Sequence, residues 1–107
     1  MSPTEADPPD SHSSDGYSFE WNLAKARSNL RKHGVDFPEA TTAFGDPMAL
    51  TMFDPDHSST EERWILLGRS SRGRILVVSF VERRSRTRII SARFATRRER
   101  SQHASIE

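Results

Sequence analysis

The sequence predicts an α+β fold, in which a short strand and two helices precede an antiparallel sheet of four strands, with the helices packed on one sheet face. Two observations carry this reading. Apolar residues between positions 23 and 44 recur at helical spacing, whereas from Met48 to Phe94 they recur with a period of two. Short polar turns separate the later apolar runs, which implies antiparallel neighbours in a meander. At 107 residues the chain is large enough for one core and too small for two.

Residues 1–16 are rich in Pro, Ser and Asp and lack apolar periodicity, so they read as a disordered extension to a single domain over 17–104. Tyr17, Phe19 and Trp21 alternate as a short strand. Asn22 is a suitable N-cap for a helix over 23–33, with Leu23, Ala24, Ala26 and Leu30 as its apolar face. Gly34 ends that helix, and His33 sits in the last turn, where positive charge suits the helix dipole. A second helix begins at the N-cap Asp36, with Glu39 closing a capping box and Pro38 in the first turn, and stops at Gly45-Asp46-Pro47. Phe37, Ala40, Ala43 and Phe44 form its buried stripe.

Strands follow at Met48–Phe53, Glu62–Arg69, Arg74–Val81 and Thr87–Phe94. The third is the most apolar and is expected at the centre of the sheet, covered on both faces. Thr96 and Glu99 stand at capping-box spacing and predict a short C-terminal helix.

Composition narrows the function. The absence of cysteine excludes a disulfide scaffold and any Cys-based zinc site, and fits a cytoplasmic protein. No apolar run is long enough to span a membrane, and no secretory signal opens the chain. The net charge of +1 hides an asymmetry: residues 1–60 sum to −6, whereas residues 61–107 carry twelve arginines, five glutamates and no lysine, hence +7. A basic half of this kind suits an anionic partner. Six of the sixteen basic residues fall between Arg86 and Arg100, where Arg88, Arg93 and Arg97 are expected to project from a strand and the helix after it.

No phosphate-binding glycine loop, nucleophile elbow or metal-ligand spacing occurs, and His12, His33, His57 and His103 are scattered. No cofactor or metal is expected. What remains is a basic constellation with a few proton carriers. Metal-free RNA cleavage needs a base for the 2′-OH, cations to offset charge on the phosphorane, and an acid for the leaving 5′-oxygen. Arginine supplies only the second, since its pKa lies above about 12. His33 and Glu62 are the natural proton carriers, with Lys25 or Lys32 available if desolvated.

These residues also carry a resemblance. Phe19-Glu20-Trp21-Asn22-x₂-Lys25-x₃-Asn29-x₂-Lys32-His33-Gly34-Val35-x-Phe37-x-Glu39-Ala40 resembles the opening of the BrnT family of toxins. Phe44-Gly45-Asp46-Pro47, Glu61-Glu62-Arg63, Gly73-Arg74-x-Leu76-Val77-Val78 and Arg88-Ile89-Ile90-Ser91-Ala92-Arg93-x-Ala95-Thr96-Arg97-Arg98-Glu99 continue it, over about residues 18–101. Asn22 stands where many relatives place Asp, and Phe94 where a Lys is common.

The resemblance implies a RelE-like ribonuclease toxin of a type II toxin–antitoxin module that cleaves RNA and blocks translation. It also implies a BrnA-like ribbon-helix-helix antitoxin, a heterotetramer with two copies of each chain, and contact with operator DNA only through that antitoxin. The active-site positions of the family carry over to Lys25, His33, Glu62, Arg63, Arg88 and Arg93, with Arg97 nearby, and Lys32, Arg72 and Arg97 are expected to bind RNA. The alternative is a nucleic-acid-binding or antitoxin-binding corepressor without catalysis, in which the arginines only position a phosphate backbone.

Overall fold

A computed structural model describes residues 12–14 and 17–105. In chain order the elements are β1 (His12–Ser14), β2 (Tyr17–Glu20), α1 (Leu23–His33), α2 (Phe37–Thr42), β3 (Leu50–Phe53), β4 (Trp64–Arg69), β5 (Ile75–Arg83), β6 (Arg86–Phe94) and α3 (Arg97–Ala104). Single 3₁₀ turns, Ala43–Gly45 and Pro55–His57, stand before and after β3. Among the described residues no helix is long and apolar enough to cross a membrane.

The four later strands form the expected antiparallel meander, with β5 inside the sheet. The sheet is nevertheless wider than four strands and is mixed. Its order is β1-β2-β6-β5-β4-β3, and β2 runs parallel to β6, with Phe19 beside Thr87 and Glu20 beside Arg88. A parallel pair needs a long crossover, and the two helices with the meander supply it. The sequence marks β2 but not its distant partner.

Within the extension expected over 1–16, residues 12–14 pair antiparallel with β2, from His12 opposite Phe19 to Ser14 opposite Tyr17. Main-chain hydrogen bonds form such an edge strand without apolar side chains, so composition does not reveal it. The rest of that extension, 1–11 and 15–16, lies outside the described residues.

The core lies on one face of the sheet. Phe44 contacts Phe19 and Phe80 edge-to-face, both at 5.0 Å between centroids, and Trp21 meets Phe37 at 5.9 Å. Leu66, Leu76, Val78, Ile89 and Ala92 complete this face beneath α2. The helices do not all share it. α3 closes one end of the opposite face, where Ala95 joins Leu67 and Val77, and α1 lies along the free edge of β6.

This edge position corrects the expected apolar face of α1. Leu23 and Leu30 are exposed, and the buried residue is Asn29. Its amide Nδ2 donates to the carbonyls of Ala92 at 2.8 Å and Val35 at 3.0 Å, and Oδ1 accepts from the Ala92 amide at 3.1 Å. A sheet edge demands polar partners; leucine offers none.

Both predicted caps of the first two helices form, from Asn22 to the Lys25 amide and from Asp36 to the Glu39 amide. Gly34 ends α1 at φ 72°, the left-handed conformation that favours glycine. Glu39, however, does not return a bond to Asp36. Its buried carboxylate accepts from Ser70 Oγ at 2.7 Å and from Arg74 through both Nε and Nη2. Those Arg74 hydrogen bonds hold the Glu39 carboxyl below the usual carboxylate range. Arg74 in turn lies 4.7 Å over the Phe94 ring, a cation–π contact.

One irregularity shapes the functional face. Ser79 pairs with Ser91 and Phe80 with Ile89, which leaves Ile90 as an extra residue in β6. Residues 91 and 93 thereby share a face with residues 88 and 86, although their numbers differ in parity.

Candidate active site

The face opposite the aromatic core is open at its centre. There the side chains of Ile65, Val77, Ser79 and Ser91 floor a hollow of ≈ 390 Å³, within the range of small-ligand clefts. Its walls come from three places. His33 reaches it from the end of α1, Asp54, His57 and Arg63 from the connection between β3 and β4, and Arg93 from β6.

The β3–β4 connection is tightly tied. The Asp54 amide donates to the Arg63 carbonyl at 2.9 Å, Ser58 Oγ donates to the Asp54 carbonyl at 2.6 Å, and the Arg63 amide donates to Ser58 Oγ at 2.9 Å. Within it His57 Nδ1 lies 2.8 Å from Asp54 Oδ2. Asp54 is buried and His57 exposed. A carboxylate beside Nδ1 is the arrangement that orients a histidine ring for proton transfer at Nε2.

Arg63 Nε is buried and has no hydrogen-bond partner among the described residues. An unsatisfied buried donor of this kind is rare. Arg93 is held differently. Its Nη1 and Nη2 donate to Glu99 at 2.9 and 3.0 Å, and these bonds bring the Glu99 carboxyl down to about 2 and raise the Arg93 guanidinium. Glu99 also accepts from the Thr96 amide at 2.8 Å while Thr96 Oγ1 accepts from the Glu99 amide, so the predicted capping box exists and also aims an arginine.

The structure therefore brings His33, Arg63 and Arg93 together. A shallow groove beside the hollow shares His33 and Ser91 with it and adds Lys25 and Lys32. Arg88 lies elsewhere, with Nη1 3.4 Å from Glu20 toward the far end of the same face. Glu62 is exposed and Arg97, the first residue of α3, is exposed; neither lines the hollow. Arg72 sits on the β4–β5 turn, 3.8 Å from Glu39.

Asp54 and His57 are the residues that sequence reasoning passed over. Their spacing of three in one polar turn is the available signal, and it is weak by itself. Ser79 and Ser91 carry no signal; only the strand register places them opposite each other.

Fold and site together define a small α+β protein whose open sheet face gathers two histidines and two arginines around one hollow. The chain matches, over residues 21–99, the model of the family described as ribonuclease toxin, BrnT, of type II toxin–antitoxin system. It belongs to that family, and an antitoxin is accordingly its partner. The crystal structure of the Brucella abortus ribonuclease toxin BrnT is similar in fold, with a TM-score of 0.53 and 24% identity over 72% of this chain and 94% of that one. A comparison with curated proteins finds no match.

Proposed function

We propose that the protein is an endoribonuclease that cleaves RNA without a metal, by attack of a 2′-oxygen on the adjacent phosphate, and thereby stops translation. The observation that carries this reading is the Asp54–His57 pair, which shares one hollow with Arg63, Arg93 and His33. His57 Nε2 takes the 2′-OH proton, and Asp54 stabilises the imidazolium that forms. Arg63 and Arg93 offset the charge that develops on the phosphorane, where preorganised cations act most strongly. His33, on the opposite wall, protonates the leaving 5′-oxygen, with Lys25 and Lys32 holding the strand beyond it. Glu62 plays no part in proton transfer on this reading, because it does not line the hollow.

The partner is a BrnA-like ribbon-helix-helix antitoxin, in a complex with two copies of each chain that reaches operator DNA only through the antitoxin. The working compartment is the cytoplasm, where RNA and ribosomes are. The deciding experiment is incubation of purified protein with single-stranded RNA in EDTA, beside His57→Ala and Arg63→Ala. Products ending in 2′,3′-cyclic phosphate, lost in both variants, are expected. Intact RNA with the folded wild-type protein leaves the non-catalytic binder in its place.

A further inference from the structure

A covered row of side chains divides the open face. Along β4, Ile65 floors the hollow, Leu67 is buried and Arg69 borders a second recess; along β5 the same order is Ser79, Val77 and Ile75. Leu67, Val77 and Ala95 are buried together at the end that α3 closes. The recess beyond them has a volume of ≈ 470 Å³ and lies between α3 and the β4–β5 turn. Arg69, Arg74, Arg100 and His103 border it, and no acidic residue does. Two of the four are committed elsewhere, Arg74 to Glu39 and His103 to Asp46. Arg69 and Arg100 are not. Arg69 Nη1 donates to the Gly73 carbonyl at 3.3 Å and Arg100 Nη1 to the Ala95 carbonyl at 3.1 Å, and among the described residues neither guanidinium bonds a carboxylate. The Ala95 amide donates to the Ile75 carbonyl at 2.9 Å, so the two anchors stand on adjoining strands. The carboxylates of the surrounding elements are already engaged. Glu39 accepts from Arg74 and Ser70, Asp46 from the Met48 and Arg69 amides beside His103, and Glu99 from Arg93. Main-chain carbonyls thus hold two guanidinium groups in place without neutralising them.

We propose that this recess docks an acidic polypeptide segment of the antitoxin, whose carboxylates meet Arg69 and Arg100 and whose apolar side chains lie on Ile75, Ala95 and Ala104. It rests on the family membership for its partner and is independent of the ribonuclease reading. The planar guanidinium fork matches a carboxylate through two parallel hydrogen bonds. The lining favours a peptide over RNA on two counts. A strand seated in the hollow meets the covered Leu67–Val77 row and α3 before it reaches the recess. The recess is also floored by aliphatic groups, and the Phe94 ring at its rim already carries Arg74 at 4.7 Å, whereas single-stranded RNA uses open aromatic faces on which bases stack.

The test is fluorescence anisotropy of a labelled hexapeptide of alternating Glu and Leu, with the wild type, with Arg69→Gln/Arg100→Gln, and with Arg27→Gln/Arg98→Gln. Glutamine keeps a donor for the Gly73 and Ala95 carbonyls, so the fold is expected to survive. The second pair removes the same charge from exposed helix positions outside the recess. The wild type is expected to bind the peptide, more weakly as salt rises. Arg69→Gln/Arg100→Gln is expected to bind it about tenfold more weakly or worse, and Arg27→Gln/Arg98→Gln within about twofold of the wild type. Equal loss in both variants means diffuse attraction and overturns the site, as does a wild type that binds no peptide. A non-cleavable 2′-O-methyl RNA is expected to bind the wild type and Arg69→Gln/Arg100→Gln alike; a parallel loss assigns the recess to RNA and overturns the peptide. Protein already bound to its antitoxin is expected to take up no peptide, and uptake by that complex overturns the antitoxin as occupant. None of these readouts depends on cleavage, so an inactive nuclease leaves the proposal standing or falling by itself.

Discussion

Asn29 stands in for a strand beside Ala92. Its side-chain amide gives Ala92 one donor and one acceptor, at 2.8 and 3.1 Å, as a paired strand would. β2 covers the β6 edge only as far as Arg88, and α1 takes over from there. The helix that carries Lys25, Lys32 and His33 is thus fixed against the strand that carries Ser91 and Arg93. Replacing Asn29 by leucine removes three hydrogen bonds and leaves buried Ala92 groups unpaired, at a cost of about 2–4 kcal/mol. Urea unfolding checks this; an unchanged midpoint would show that water takes the place of the amide.

Asp54 and His57 yield a kinetic prediction. His57→Ala is expected to lower kcat on RNA by about 10²-fold or more, the usual worth of a positioned base, with KM nearly constant. Asp54→Asn is expected to lower kcat less and to alter its pH profile, because the asparagine no longer stabilises the imidazolium. A His57→Ala enzyme of wild-type rate assigns proton transfer to another group.

Glu99 links acid stability to the site. Its carboxyl lies at about 2 in the fold against 4.5 ordinarily. A depressed folded value means that the stabilisation is complete above the unfolded value and is lost as pH falls from about 4.5 through about 2. The shift alone corresponds to roughly 3 kcal/mol, and the partial exposure of both partners reduces this to about 1–2 kcal/mol. Glu99→Gln is therefore expected to be less stable by that amount at pH 7 and equal to the wild type near pH 2. Parallel stability curves across that range would dismiss the linkage.

His103 latches α3. Its Nε2 lies 2.7 Å from Asp46 Oδ2, both side chains being buried. Burial pushes the Asp46 carboxyl up, yet hydrogen bonds from the Arg69 and Met48 amides and from His103 outweigh this and hold it below its ordinary value. His103→Ala removes one of the hydrogen bonds to that carboxylate and leaves the two from the Met48 and Arg69 amides, and about 1–3 kcal/mol of stability is expected to go with it. Amide exchange across Arg97–Ala104 should quicken before that of the sheet. Uniform quickening would mean that α3 has no separate opening.

Gly68 lies under the 3₁₀ turn, where an added Cβ meets the Ala43 carbonyl oxygen at 2.8 Å. Backbone cannot yield as a side-chain tip does. Gly68→Ala is expected to cost about 1–3 kcal/mol, read as a lower Tm, and a neutral result would show that the turn shifts freely.

Local patterns carried much of the fold into the sequence. The caps at Asn22, Asp36 and Thr96, the stop at Gly34 and the period-two runs of β4 to β6 all rest on neighbours a few residues apart. Pairings between distant segments left no such trace. Phe19 beside Thr87 and Asn29 beside Ala92 join positions more than sixty residues apart, and Leu30 looked like core because its true neighbour is solvent. The site divides along the same line. Its cations were visible as residue types, whereas the separation of Arg88 from Arg93, and the meeting of His57 with Asp54 and of Glu99 with Arg93, depend on register and turn geometry.

The extra residue in β6 hides the alternation of that strand from a count along the chain. Removal of Ile90 would leave Arg86, Arg88, Ser91 and Arg93 alternating regularly with Thr87, Ile89 and Ala92, so both faces would keep their side chains. What would go is the local bend and added twist that an unpaired residue gives a strand. Substitution at position 90 keeps that bend. Deletion and substitution there thus separate the shape of the strand from the order of its side chains, and a chain one residue shorter at this point would present the same residues on a straighter sheet.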